Sequence, residues 1–217
     1  MTPIDRPFLR IRSSAFCYRF TLFTRILLAA AFIPTGMVKL MGEQFTLLGT
    51  DNPIGAFFEA MYQTGLYWRF LGLSQVVAGI LLLIPRLAHL GAAVFLPILV
   101  NIFVVTVSLH FRGTDILTGL MLLAVIYLCV WDYHRFRPML TLTPLAGSVP
   151  VHRLDKWETV GFVVFAVSLM NFFGITRSFI STDFALVFVV TGFAAGVFTL
   201  GRFLWIRRGG RLKPAPI

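Results

Sequence analysis

The sequence is poor in cysteine, charge and catalytic motifs, and each shortage excludes a class of protein. Its 217 residues include two cysteines, Cys17 and Cys129, and no CxxC pair, which excludes a disulfide framework and a CxxC thiol oxidoreductase. Only 13% of the residues are charged, against about 25% in soluble domains. No HExxH or ExxH pattern, P-loop or GxSxG elbow occurs, so we predict no metal site and identify no catalytic residue.

The chain is instead rich in hydrophobic residues, which make up 58% of it and are concentrated in six long stretches. We predict an all-α integral membrane protein in contact with the lipid bilayer. Its fold class is a four-helix transmembrane bundle followed by a C-terminal transmembrane helical hairpin, six spans in total. The predicted spans are residues 20–41, 66–84, 87–109, 115–131, 157–175 and 183–205.

The stretches between the spans suggest how the chain is divided. The predicted parts are a cytoplasmic basic tail at 1–19, a four-helix membrane domain at 20–140, a cytoplasmic linker at 141–156, and a two-helix membrane hairpin with a basic tail at 157–217. Inside the membrane domain, Asn52 is a predicted N-cap followed by Pro53. We therefore expect a short amphipathic helix near 53–63, lying on the outer membrane surface or capping the bundle.

The formal net charge of +10 indicates membrane orientation and not a nucleic-acid partner, because the basic residues collect at the ends of apolar segments. The predicted outer turns carry only Arg112 and Arg177. The predicted inner segments carry Arg6, Arg10, Arg12, Arg19, Arg86, Arg135, Arg137, Arg153, Lys156, Arg207, Arg208, Arg211 and Lys213. This asymmetry predicts a multi-pass protein of the cell inner membrane with both termini cytoplasmic.

The first span carries two basic residues, Arg25 and Lys39, on one helical face. They lie about 21 Å apart along the axis, so both fall inside or at the edge of a hydrocarbon core about 30 Å thick. A charge there costs at least about 2.5 kcal/mol unless it reaches water or a partner. We predict structural ion pairs Arg25–Asp132 and Lys39–Asp115, which would make the first and fourth spans neighbours.

The polar residues near the predicted spans form an outer and an inner layer. The inner layer is Arg25, His89, Asp132 and His134. The outer layer, with two amides at middle depth, is the candidate ligand-binding set: Lys39, Glu43, Arg69, Gln75, Asn101, His110, Arg112 and Asp115. Two interpretations are open for the outer set, structural ion pairing or a cavity for an anionic or quinone-like ligand.

Several short motifs in the first three spans resemble those of a known membrane family. They are Arg25, Phe32 and Gly36-Met37-Val38-Lys39, then Tyr67-Trp68-Arg69-Phe70-Leu71-Gly72 with Gln75, then Leu81-Leu82-Leu83-Ile84-Pro85-Arg86, and Asn101. Over residues 20–135 the chain resembles the DoxX-like integral membrane proteins, a family similar to the small membrane subunit of thiosulfate:quinone oxidoreductases. The resemblance implies a redox-linked membrane role, with a quinone as candidate cofactor and a soluble or membrane redox protein as expected partner.

The favoured function is therefore an integral membrane subunit of a quinone-linked oxidoreductase system. The alternatives are a small-solute or lipid transporter and a non-catalytic membrane scaffold. Bound quinone with redox turnover favours the first, counterflow in proteoliposomes favours the second, and a stable partner without either favours the third.

Overall fold

The computed structural model describes residues 5–141, 149, 151–176 and 185–208, and within these ranges the chain forms nine helices and no strand. The helices are α1 (Asp5–Arg12), α2 (Ala15–Leu40), α3 (Pro53–Gln63), α4 (Leu66–Leu83), α5 (Ala88–Ser108), α6 (Thr114–Trp131), α7 (Tyr133–Thr141), α8 (Lys156–Thr176) and α9 (Ala185–Arg208). Six of them, α2, α4, α5, α6, α8 and α9, are long and apolar enough to cross a membrane. The predicted all-α membrane protein with six spans is thus confirmed.

The short helix α3 begins where the sequence predicts. Asn52 has an extended backbone, and its Oδ1 accepts a hydrogen bond of 2.9 Å from the backbone N–H of Ile54. Pro53 occupies the first helical position, where a missing N–H removes no helical hydrogen bond. By contrast, α1 and α7 are not among the predicted helices. The first lies in the predicted basic tail at 1–19, and the second follows the end of the fourth predicted span at residue 131.

Some of the predicted features lie outside the described residues. These are residues 1–4 of the predicted N-terminal tail, residues 142–148 and 150 of the predicted linker, the turn that contains Arg177, residues 183–184 at the start of the predicted sixth span, and residues 209–217 of the C-terminal tail. The four-part division of the chain at residues 19, 140 and 156 stays a prediction.

The helices gather into two compact units, and one of them comprises residues 25–129. In this unit α2 and α4 touch through glycines: a Cβ added to Gly36 would lie 2.8 Å from the carbonyl oxygen of Gly72. Gly79 meets the Ile33 side chain on the same face of α4. This is the close approach that small residues permit between membrane helices. The glycine contact fixes which side chains of α2 and α4 lie opposite each other.

The second unit comprises residues 1–24 and 130–217, of which the described parts are α1, the start of α2, α7, α8 and α9. Here α8 and α9 pack through small residues, with Gly161 against Thr199 and Gly192 against Ser168. Phe23 of α2 packs on Phe162 of α8, with ring centroids 4.6 Å apart. The first turns of α2 therefore belong to the core of the α8–α9 hairpin.

Candidate ligand site around Lys39

Lys39 lies in the last turn of α2 with only 5% of its surface exposed. Its Nζ donates to the carbonyl oxygen of Thr35, one helical turn earlier, at 3.2 Å. It also donates to Oε1 of Gln75 on α4, again at 3.2 Å. Gln75 is itself 5% exposed. The ammonium therefore sits between the two helices that the Gly36–Gly72 contact holds together.

Two aromatic rings complete the surroundings of the ammonium. Nζ of Lys39 lies 4.1 Å from the ring centroid of Phe45 and 5.5 Å from that of Trp68. Both distances allow cation–π attraction, which strengthens as the site loses water. Trp68 is 1% exposed, and its Nε1 donates to the backbone oxygen of Glu43 at 2.9 Å. We call Lys39, Gln75, Phe45 and Trp68 the Lys39 cluster; together these side chains carry one positive charge.

A cavity of about 140 Å³ lies beside the Lys39 cluster, between the loop at residues 44–48 and α3. Phe45 belongs to both, because the residue lines the cavity and its ring contacts the ammonium. The lining residues are Gln44, Phe45, Thr46, Leu47, Leu48, Gly55, Phe58, Glu59 and Tyr62. Pockets for drug-sized ligands measure about 300–1,000 Å³, so this cavity fits a head group or a single ring.

The loop wall of the cavity is held against α3 by contacts that the sequence explains. A Cβ on Gly55 would lie 2.6 Å from the carbonyl oxygen of Leu48, so only glycine lets the loop approach this closely. Nε2 of Gln44 donates to Glu59 on α3 at 2.9 Å. The Phe45 and Phe58 rings pack with centroids 5.3 Å apart. The cavity therefore has walls of defined shape on both sides.

Two further members of the predicted ligand-binding set lie near this end of α2. Glu43 contributes its backbone oxygen to Trp68, while its side chain is exposed. The guanidinium of Arg69 covers Gly42, whose positive φ of 79° favours glycine. The structure thus brings Lys39 and Gln75 into direct contact. It places Glu43 and Arg69 just beyond the end of α2 that carries Lys39.

The other four members of the set are not joined to Lys39 or Gln75 by any hydrogen bond or ion pair that the structure describes. Asn101, His110 and Arg112 are exposed, and His110 has a positive φ of 50°. Oδ1 of Asp115 accepts from the backbone N–H of Ile116 at 2.8 Å. Their part in a ligand site, and the Lys39–Asp115 ion pair, stay predictions.

In the other unit, Asp132 has a partner that the sequence did not suggest. Its Oδ1 lies 3.7 Å from Nη1 of Arg12, and the Arg12 guanidinium stacks over the Trp131 ring at 4.4 Å. The same Nη1 donates to the backbone oxygen of Trp131 at 3.3 Å. Arg25 is buried on α2, and its predicted pairing with Asp132 stays a prediction.

A buried ion pair between Arg19 and Glu158 is not among the predicted pairs. Arg19 donates from Nε and Nη2 to the two carboxylate oxygens of Glu158, at 2.7 and 2.8 Å. Glu158 is fully buried and also accepts from the backbone N–H of Asp155 at 3.0 Å. The pattern Asp155-x-x-Glu158 before an apolar run is a helix-start signal that could have located this carboxylate.

Asp155 itself faces Arg202 near the end of α9, with Nη2 2.7 Å from Oδ2. The hydrogen bond from Arg202 lowers the pKa of the Asp155 carboxyl below its ordinary value. The Arg19–Glu158 pair joins α2 to α8, and the Arg202–Asp155 pair joins α9 to the residue just before α8. We regard them as structural, because they link helices within one unit.

An all-helical chain with six apolar spans and charged side chains buried among its helices is a multi-pass integral membrane protein in contact with the lipid bilayer. The family model DoxX matches residues 20–109. The "Uncharacterized protein YwoB" of Bacillus subtilis (strain 168) is 31% identical over 130 residues, which cover 56% of this chain and 82% of that protein. The chain belongs to the DoxX family. No solved structure matches it.

Proposed function

We propose that the protein is an integral membrane subunit of a quinone-linked oxidoreductase system, and that the Lys39 cluster and its cavity hold the quinone head group. The proposed location is the cell inner membrane, with both termini in the cytoplasm. The observation that supports this function is the buried Lys39 ammonium, which lies against two aromatic rings beside a ring-sized cavity.

The chemistry of the cluster suits a quinone head group. A quinone is a flat ring with two carbonyl oxygens, so it accepts hydrogen bonds at its edge and stacks through its faces. Lys39 supplies a charged donor, and three aromatic residues, Phe45, Phe58 and Tyr62, are among the residues that line the cavity. A quinone oxygen could replace Gln75 as an acceptor for Lys39, so binding would not desolvate a new charge.

The proposal assigns this chain the binding of the quinone and assigns the electrons to a partner. Reduction of a quinone to a quinol takes up two electrons and two protons. In the proposed system the electrons come from a soluble or membrane redox protein that docks on this subunit. The bound quinone would then carry them into the membrane.

Tryptophan fluorescence tests quinone binding directly, because quinones quench a nearby indole and Trp68 lies within the cluster. The protein in mild detergent is titrated with decylubiquinone and, separately, menadione. We expect saturable quenching that is lost in Trp68→Phe and an affinity at least about tenfold lower in Lys39→Met, since hydrogen bonds to charged groups contribute about 1.5–3 kcal/mol. Lys156→Met, at an exposed lysine, is the matched control.

Equal affinity in Lys39→Met and the wild type would contradict the proposed site. If no quinone binds, solute counterflow in proteoliposomes would identify a transporter instead. A stable protein partner without quinone binding or transport would identify a scaffold.

A further inference from the structure

One face of α5 presents a regular stripe of exposed residues. The stripe is Leu90, Val94, Pro97, Asn101, Val104 and Ser108, and Val100 and Val107 beside it are exposed as well. Successive members are alternately four and three positions apart, which is the spacing of the a and d positions of a heptad repeat. Exposed residues at this spacing match the seam along which two helices supercoil. In this seam Asn101 occupies an a position between apolar neighbours.

Asn101 is the unusual member of the stripe, because it places an amide inside the hydrocarbon layer. It lies about 20 Å from the start of α5 and about 10 Å from its end, whereas the hydrocarbon core is about 30 Å thick. Its side chain makes no hydrogen bond with any residue in the described ranges. By comparison, Nδ2 of Asn171 on α8 donates to the carbonyl oxygen of Val167 in its own helix at 2.7 Å.

We propose that α5 is the contact surface for a second copy of this chain, with Asn101 of each copy hydrogen-bonded to Asn101 of the other. Lipid tails offer an amide neither a donor nor an acceptor, so a polar partner from another chain stabilises the exposed amide. Two copies in one membrane have the same orientation and are related by a two-fold axis along the membrane normal. A residue near that axis therefore contacts the same residue of the other copy.

An amide is complementary in charge to another amide under that symmetry. The partial negative charge on each oxygen faces the partial positive charge on the NH₂ group of the other copy, which gives two hydrogen bonds per pair. A single asparagine at an a position also fixes the register and favours two strands. Val94, at the preceding a position, is β-branched, as two-stranded seams prefer. The inference stands apart from the proposed function, since it uses no residue of the Lys39 cluster.

Disulfide trapping in native membranes tests the contact. Single cysteines are introduced at Val94 and Val104, on either side of the intact Asn101, in a chain with Cys17→Ser and Cys129→Ser, and at Leu123 on α6 as an exposed control. Mild oxidation should give covalent dimers at the two α5 positions and not at Leu123. Dimers at Leu123 as abundant as those at Val104, or none at either α5 position, would overturn the proposal, as would a cross-link to a different protein.

A second measurement determines how much the Asn101 amide contributes to the affinity of the two copies for each other. Labelled copies are reconstituted at increasing dilution in lipid vesicles, and the dimer fraction is read by energy transfer. Asn101→Leu should raise the dissociation constant about threefold to thirtyfold, while Asn101→Gln should keep most of the affinity. Asn171→Leu, the same substitution at an amide satisfied within its own helix, should change nothing. An unchanged dissociation constant in Asn101→Leu would contradict the amide pair.

Discussion

Nζ of Lys39 and Oε1 of Gln75 lie 3.2 Å apart although 36 positions separate the two residues in the chain. Their meeting depends on the contact between Gly36 and Gly72, which lets α2 and α4 approach closely enough for both side chains to be buried. The position of the charge is therefore a consequence of helix packing. A change in that packing should move the ammonium before it changes the rest of the fold.

Gln75→Leu should destabilise the protein by about 1.5–3 kcal/mol, the usual contribution of a hydrogen bond to a charged group. The substitution removes an acceptor of the buried Lys39 ammonium, and the leucine side chain offers no hydrogen bond to replace it. Reversible unfolding by sodium dodecyl sulfate in mixed micelles measures the effect. Ser74→Ala is the neighbouring control, because the Ser74 hydroxyl donates to the backbone oxygen of Phe70 in its own helix. Equal stability of the two variants would contradict the assigned role of Gln75.

Glu158→Gln should cost about 3–5 kcal/mol, because it leaves the Arg19 guanidinium buried without its charged partner. The double variant Arg19→Met with Glu158→Met should recover most of that loss, since two apolar side chains need no ionic partner. Thermal unfolding in detergent compares the three proteins. If the double variant unfolded at a lower temperature than Glu158→Gln, the ion pair would stabilise the protein by more than the neutralisation of each charge by the other.

Acid should weaken the link between Asp155 and Arg202. The pKa of Asp155 is lower in the folded protein than in the unfolded chain. The ionised carboxylate therefore stabilises the fold at pH values above its pKa in the unfolded chain, and this stabilisation is lost as the pH falls through the lower pKa of the folded protein. Arg202→Gln should return the Asp155 pKa toward its ordinary value of about 3.8. Carbon-13 NMR of labelled aspartate carboxyls follows the titration. The same pKa with and without Arg202 would be inconsistent with the assigned cause.

Cysteines at Thr50 and Val151 should react with an impermeant maleimide from opposite sides of the membrane, in a background with Cys17→Ser and Cys129→Ser. Both positions are exposed, and the basic residues predict Thr50 outside and Val151 in the cytoplasm. Labelling is compared in intact cells and in inverted vesicles. Reaction of both cysteines from one side would rule out the proposed topology.

The helices were predictable because their apolar runs and end signals are local. The second to sixth spans begin and end within about three residues of the predicted positions, although α2 starts at Ala15, five residues before the predicted start. Asn52 and Pro53 marked the start of α3 correctly for the same local reason. A basic tail gives no such apolar run, so α1 was not predicted.

The partners of the charged residues were harder to predict, because pairing depends on helix register across long separations. Arg19 and Glu158 are 139 positions apart, and no periodicity within either helix points to the other. Cation–π contacts add to the difficulty, because Phe45 lies in a loop whose path sequence patterns do not specify. The sequence therefore suggested Lys39 and Gln75 as site residues but not the rings around them.

Photoaffinity labelling maps where a quinone lies in the native membrane, and so tests the proposed quinone site around Lys39. A radiolabelled azido-quinone is activated in membranes that contain the wild type, Lys39→Met or Lys156→Met, and the labelled peptides are identified. We expect label within residues 35–62, displaced by excess decylubiquinone and strongly reduced only in Lys39→Met. Label confined to other parts of the chain, or undiminished in Lys39→Met, would contradict the assignment of a quinone to the Lys39 cluster.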